Sequence, residues 1–264
     1  MSITDNLKNI DEYKDLLTKY TNDLRNRSDK SMLEYFSTLR DIPIETIEES
    51  DIFYIKDATE MLLPSYLSVI EDLGVISPTN KKPIFHNRFV IPIKDSDGKV
   101  LNLVGYSKEA NERYVYGTSK YYRRRETMYG LENLHLAYEL GYGILTEGIT
   151  DTIRVRSLGF KNCFANCGTH KSEFIMKQLN RCRYGVIKIP DRDSAGQRAL
   201  KGWVSYRGVV LNTFIAYKDV DEMCKENEFN KAAVTDYIQQ SIEWLKKEEH
   251  RGHFCENQVA TMMI

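Results

Sequence analysis

Short apolar runs alternate with helix-like stretches from Leu131 to Tyr217, and no other feature restricts the fold of this chain as much. "GILTEG", "NCFANCG", "YGVIKIPD" and "GVVLNTFIAY" have the length and composition of buried strands. "ENLHLAYELG", "DTIRVRSLGF", "KSEFIMKQLN" and "AGQRALKGW" read as the helices around them, with Gly159 closing the second. Such alternation points to βαβ units and a parallel sheet covered by helices on both faces. In sheets of that kind, functional side chains gather beyond the carboxyl ends of the strands.

The rest of the chain has a different texture. Residues 1 to about 80 look helical. "IDEYKDLLTKYTNDL" puts Ile10, Tyr13, Leu16, Leu17 and Tyr20 on one face, and "SMLEYFSTL" and "PSYLSVIEDLG" read as further amphipathic helices. "RFVIPIKDSDGKVLNLVGYS" is a hairpin turning at Asp-Ser-Asp-Gly. "ERYVYGTSKYYRRRETMYG" is expected to hold strands, loops and a turn. After Asn230 a charged helix is expected to lie exposed, and "GHFCENQVATMMI" reads as a loose tail. The fold class is therefore α/β with an α+β N-terminal part. The expected divisions are an N-terminal helical extension (1–30), a first subdomain (31–130), the parallel-sheet domain (131–229) and a C-terminal helix and tail (230–264).

Charge and cysteine content narrow the functional classes. A formal net charge of -1 over 264 residues excludes a basic nucleic-acid coat, so any nucleic-acid site must be a local patch. The five cysteines are odd in number and irregularly spaced, which suits reduced thiols in a cytoplasmic protein. The polar, acidic N-terminus is unlike a signal or transit peptide, and no apolar stretch approaches the ~20 residues of a membrane span. His250, His253, Cys255 and Cys224 fit no paired zinc-knuckle spacing, so no zinc site is expected.

Acids stand at three strand ends. Glu147 ends "GILTEG", Asp191 and Asp193 end "VIKIPDRD", and Asp219 and Asp221 follow "TFIAYK". Asp151 lies one helical turn beyond Glu147 and can face the same site. Each of Asp151, Asp193 and Asp221 taken alone reads as a helix N-cap. Their conjunction does not, because Glu is a poor N-cap and paired Asp residues exceed what capping needs. Carboxylates converging on one rim need cations, and hard oxygen donors suit Mg2+ or Mn2+. Two such ions can activate an attacking hydroxyl and stabilise a leaving oxygen in phosphoryl transfer.

"LTEGITD", "PDRDSAGQRA" and "YKDVDEM" resemble the metal-binding elements of TOPRIM domains, in the form found in DnaG-type bacterial and phage primases. The resemblance implies catalytic roles for Glu147, Asp191 and Asp193, with Asp151, Asp219 and Asp221 completing the metal-binding set and Glu147 also a candidate for proton transfer. Lys218 and Glu222 match the flanks of the last element. Arg192 departs from the glycine usual between the central aspartates; it reads either as a phosphate contact or as a solvated side chain.

The resemblance extends upstream over roughly residues 31–240. "FHNRFVIPIKDSDGKVLNLVGYS" is similar to the Asn-Arg hairpin of the primase core, matching at Asn87 and Arg88. "ERYVYGTS" stands where primases have a Lys-Tyr strand, with Arg113 in place of lysine, and "YYRRRETMYGL" resembles the segment entering the TOPRIM half, with Arg124 in place of lysine. Asn87, Arg88, Arg113, Lys120, Arg123, Arg124 and Arg125 are accordingly candidates for nucleotide or template binding, with tyrosines among them to stack on bases. The plain alternative is a solvated basic loop whose tyrosines are buried.

The implied activity is that of a DNA primase: RNA primers made on single-stranded DNA from nucleoside triphosphates, dependent on Mg2+ or Mn2+. A replicative helicase is an implied partner. No cysteine precedes Cys163, so the zinc-ribbon usual in bacterial primases is expected to be missing, and a separate zinc-ribbon protein is a further candidate partner. This minimal organisation suits a phage or mobile element, with the host cytoplasm as its location. Competing readings are a TOPRIM nuclease, which shares the acids but uses water as nucleophile, and a non-catalytic primase-like replication partner. A topoisomerase is disfavoured for want of strand-passage domains.

Overall fold

The first helix, α1 (Ile10–Arg25), begins where Asn9 caps it, accepting a hydrogen bond from the Glu12 amide at 2.9 Å. Tyr13, Leu17, Tyr20 and Leu24 are its buried face, whereas Ile10 lies outside, 45% exposed. The computed structural model describes residues 9–123, 126–167, 173–193, 208–210, 216–247 and 254–256. They fall into two units, Met1–Arg123 and Arg124–Ile264.

In the first unit α1 is followed by α2 (Ser31–Arg40), α3 (Ile44–Glu49) and an antiparallel sheet in the order β1 (Phe53–Ile55), β2 (Arg88–Lys94), β3 (Val100–Tyr106), β4 (Tyr114–Tyr116). The hairpin expected from Asp-Ser-Asp-Gly joins β2 to β3. Asp95 Oδ1 accepts from the amides of Asp97 and Lys99, and Gly98 takes φ +79°. The tyrosines of α1 bury their rings and still satisfy their hydroxyls: Tyr13 donates to Leu101 O and Tyr20 to Met61 O, each at 2.9 Å.

Two expectations fail in this unit. Residues 1–80 are not all helical, because Phe53, Tyr54 and Ile55 pair with β2, as aromatic and β-branched residues favour. "PSYLSVIEDLG" forms a 3-10 turn at Pro64–Tyr66 and then irregular turns. Its carbonyls are used elsewhere: Gly74 O accepts from the Thr118 amide at 2.8 Å and Asp72 O from Ser119 Oγ at 3.1 Å.

The second unit is built on a parallel sheet with strand order β6 (Cys163–Ala165), β5 (Tyr142–Thr146), β7 (Gly185–Ile189), β8 (Gly208–Val210), β9 (Phe254–Glu256). Side chains of β5, β6 and β7 alternate across it. Leu145, Phe164 and Val186 join one core with α4 (Leu134–Leu140) and α6 (Glu173–Leu179). Ile144, Cys163, Ile187 and Ile189 join the opposite core. That core draws on Val155 of α5 (Ile149–Ser157), Val220 and Met223 of α7 (Val220–Glu226), and Val234, Ile238, Ile242 and Leu245 of α8 (Glu228–Lys246).

Two corrections concern the C-terminus. The helix expected to be exposed is α8, and its apolar residues recur at helical spacing and cover β7. The expected loose tail contributes β9, which pairs with β8. The helix expected at "AGQRALKGW", residues 211–215 of the fourth apolar run, His250 and His253 lie outside the described residues.

Candidate metal centre at the strand ends

Parallel register fixes the site. Thr146 and Ile189 are partners at the ends of β5 and β7, so Glu147 and the Pro190–Asp191 step emerge at the same edge. The Asp191 amide donates to Glu147 Oε1 at 3.4 Å. Burial pushes the Glu147 carboxyl up to about 7, and the charges of Asp191 and Asp193 push the same way. Asp191 is also raised, by burial first, with Lys218 opposing and Asp219 and Asp193 adding to it. Lys218 Nζ stands 3.5 Å from Asp191 Oδ2 and 3.7 Å from Asp193 Oδ2. Burial works against that ammonium, but Asp191, Asp193 and Asp219 outweigh it and raise its pKa.

The other acids play distinguishable structural parts. Asp219 is the helix cap, accepting from the Glu222 amide at 2.8 Å at the start of α7. Capping was a reading open for Asp151 and Asp221; instead Gly148 caps α5, and both aspartates lie within their first helical turns. Asp151 and Asp221 are each 5% exposed, and the Asp221 amide donates to Asp151 Oδ1 at 3.2 Å. Burial, then the charges of Asp219, Asp191 and Asp221, holds Asp151 well above the usual carboxylate range. Arg154, fully buried in α5, donates from Nε to Asp221 Oδ1 at 3.2 Å. A Cβ at position 148 would lie 2.4 Å from Asp151 Oδ2, so a larger residue there would displace that buried carboxylate.

Among the described residues, no three His, Cys, Asp or Glu side chains are drawn in to the spacing of a closed metal shell. The donor chemistry nevertheless fits a hard divalent cation. Glu147, Asp191 and Asp193 present oxygens at one edge, burial and neighbouring carboxylates hold back the ionisation of Glu147 and Asp191, and Lys218 lies beside the two aspartates.

Arg192 donates its amide to Lys218 O at 2.7 Å, which ties the central acidic turn to the segment preceding α7. Sequence reasoning missed Arg154. It reads as an ordinary helix charge, and the signal that could have found it is a cation between two apolar neighbours, Ile153 and Val155.

The basic candidates up to Arg123 belong to the first unit. Asn87 is exposed at φ +53° and accepts from the Tyr54 hydroxyl. Arg88 opens β2 and donates to Glu112 O at 2.9 Å and Arg113 O at 3.4 Å, bracing the β3–β4 connection. Arg113, Lys120 and Arg123 are exposed, and Lys120 Nζ lies 5.1 Å from the Tyr121 ring centroid. The expected alternatives for the tyrosines are mixed. Tyr121 stacks on Tyr13 and Tyr114 tilts against Tyr106, yet both remain half-buried. Arg124 and Arg125 lie outside the described residues. No helix among the described residues is long and apolar enough to cross a membrane.

Fold and acidic edge define a class, and comparison with known proteins agrees: residues 144–224 match the Toprim-like family. Beyond that domain, the chain is a relative of the DnaG-type DNA primases and has the fold of their catalytic core. It is 32% identical over 146 residues to the DNA primase of Aquifex aeolicus, covering 53% of this chain and 29% of that protein. It is 29% identical over 220 residues to the DNA primase of Clostridium acetobutylicum, covering 77% of this chain and 37% of that one. The chain thus spans roughly a third of the length of these curated relatives. Among solved structures, the Aquifex aeolicus primase zinc-binding and RNA polymerase domains superimpose with a TM-score of 0.71 at 24% identity, over 89% of this chain and 62% of that one. A DnaG primase catalytic domain bound to single-stranded DNA gives a TM-score of 0.72 at 18% identity, over 89% and 83%. The Toprim primase family is metal-dependent in general.

Proposed function

We propose that this chain is the catalytic part of a DNA primase, joining ribonucleotides into short primers on a single-stranded DNA template. The observation that carries this reading is the meeting of Glu147 with Asp191 and Asp193 at the ends of two adjacent parallel strands. Glu147, Asp191 and Asp193 would hold Mg2+ or Mn2+, with Asp219 beside them. Bound there, the cation supplies charge stabilisation for the transferring phosphoryl group and lowers the pKa of the attacking hydroxyl.

The protein's own contribution is positional and electrostatic. Lys218 offsets part of the acidic charge and gives a donor for a phosphate oxygen. Asp151 and Asp221 belong to the buried end of the acidic set and hold α5 and α7 together through Arg154. Arg113, Lys120 and Arg123, with Arg124 and Arg125, supply the cations for phosphates of template or nucleotide. Arg88 and Asn87 act at the hairpin. A replicative helicase and a separate zinc-ribbon protein are the partners this reading implies.

A primer-synthesis assay on mixed single-stranded templates tests the proposal. Labelled oligoribonucleotides should appear with Mg2+ or Mn2+ and disappear in Asp191→Ala, whose Mn2+ binding by calorimetry should weaken in parallel. Cleavage of labelled DNA or RNA without nucleotides, and no synthesis, would establish the nuclease instead.

A further inference from the structure

A cavity of about 230 Å3 opens on the first unit, lined by Tyr35, Tyr54, Asn87, Phe89, Lys108 and Glu109 among others. Its walls are aromatic. The Tyr35 and Phe89 rings lie nearly parallel, 18° apart with centroids 6.4 Å from each other, and Tyr54 tilts against Phe89 at 5.0 Å. Tyr35 is 49% exposed, an unusual position for a large ring that packs on a core strand.

The rim is polar. Asn87 Oδ1 accepts from the Tyr54 hydroxyl, and its amide nitrogen has no partner among the described residues. Lys108 and Glu109 are exposed and form no ion pair among the described residues. Lys108 and the exposed Arg113 lie on one short connection between β3 and β4, which Arg88 braces through the carbonyls of Glu112 and Arg113.

We propose that this cavity is a stacking pocket for one unpaired base of single-stranded nucleic acid, with Tyr35 as the platform. A planar base offers a face to Tyr35 and Tyr54 and a hydrogen-bonding edge to Asn87 and Glu109. The phosphates flanking it fall to Lys108 and Arg113. Walls that are flat and aromatic with polar edges match a base better than a peptide side chain, whose aliphatic surface would leave the Asn87 amide unmet. A carboxamide held by its oxygen still has two donors to give, and Glu109 can accept from an exocyclic amine. The inference rests on the primase reading and adds to it a base-binding site on the first unit.

The test uses the full chain and oligodeoxynucleotides carrying 5-iodouracil at single positions. Ultraviolet crosslinking followed by peptide mapping should place adducts on Tyr35 or Tyr54. Anisotropy with labelled single-stranded DNA should show Tyr35→Ala weakening binding about tenfold while Tyr35→Phe retains it. The salt dependence should be unchanged in Tyr35→Ala and shallower by about 0.7 in Lys108→Ala, since only the latter removes a phosphate contact. The exposure of Tyr35 means the thermal unfolding of Tyr35→Ala should match the parent, which separates lost stacking from lost fold. If wild-type chain binds DNA but Tyr35→Ala binds equally and crosslinks fall elsewhere, the pocket serves a protein partner or nothing, and this inference falls while primer synthesis stands. If the wild-type chain binds no single-stranded DNA, this inference falls as well, and the primer-synthesis assay decides the broader reading separately.

Discussion

Arg154 Nε lies 3.2 Å from Asp221 Oδ1, and the guanidinium is wholly removed from solvent. The pair joins α5 to α7 across 67 residues of sequence and sets a permanent positive charge behind the acidic edge. Asp221 in turn donates its amide to Asp151. The inner acids are therefore partly answered by the protein itself, while Asp191 and Asp193 at the strand end have Lys218 beside them.

Removing the buried cation should be costly. Arg154→Met leaves the Asp221 carboxylate desolvated beside Asp151, and breaking such a pair costs about 3–5 kcal/mol. Arg154→Met combined with Asp221→Asn removes both charges and should recover a large part of that loss. Urea unfolding of the two single variants and the double variant gives the coupling directly. Equal losses in the single and double variants would mean that Arg154 contributes packing alone.

Metal binding and pH should act on stability in opposite directions. Glu147 has its folded pKa raised from 4.5 to about 7, so in the metal-free protein the native state holds a proton that the unfolded state has released across that range. Its contribution is most favourable below about pH 4.5 and is lost as pH rises to about 7. Glu147→Gln should stabilise the metal-free protein at about pH 8 by roughly 1–2 kcal/mol, discounting for solvent screening. Mg2+ should raise the melting temperature of the parent more at about pH 8 than at about pH 5.5, because protons compete with the cation. A calorimetric scan at both pH values, with and without Mg2+, reads all of these.

How far the sequence disclosed this site follows from what each residue depends on. Glu147 and Asp191 end apolar runs, so period and polarity locate them before any contact is known. Arg154 depends on a partner far along the chain, and locally "TDTIRVRS" looks like an ordinary charged helix. Phe53–Ile55 is too short to outweigh its helical surroundings and becomes a strand only when β2 is beside it. Tyr35 reads as one more aromatic on an amphipathic helix; its exposure and its parallel ring partner Phe89 emerge only with the tertiary fold. The parallel sheet was legible because β5, β6 and β7 come from short, mostly apolar runs, whereas β9 was not, because its few residues carry no such pattern.

Three thiols of the second unit should be inert in the native protein. Burial pushes Cys163, Cys182 and Cys224 each up to about 12. At about pH 8 the thiolate fraction of each is about one part in ten thousand, and thiolate is the reacting species. Iodoacetamide labelling followed by peptide mapping should find these three unmodified in buffer and fully modified in denaturant. Rapid native labelling of Cys163 would contradict its full burial in the core against the sheet.

The long C-terminal helix gives the sharpest test of the corrected fold. An exposed charged helix would tolerate truncation of any apolar residue with little loss. In the structure Ile238 is fully buried and shares a core with Ile187 and Ile189 of the strand that delivers Asp191. Ile238→Ala should therefore cost about 2–5 kcal/mol through lost burial and a residual cavity. Phe229, on the same helix but 69% exposed, supplies the internal comparison: Phe229→Ala should change stability by less than about 0.5 kcal/mol. Because Ile238 packs beneath the strand carrying the acids, its truncation should also weaken Mn2+ binding, and Phe229→Ala should leave Mn2+ binding as it is. Equal behaviour of the two variants would return the helix to the surface and detach it from the sheet.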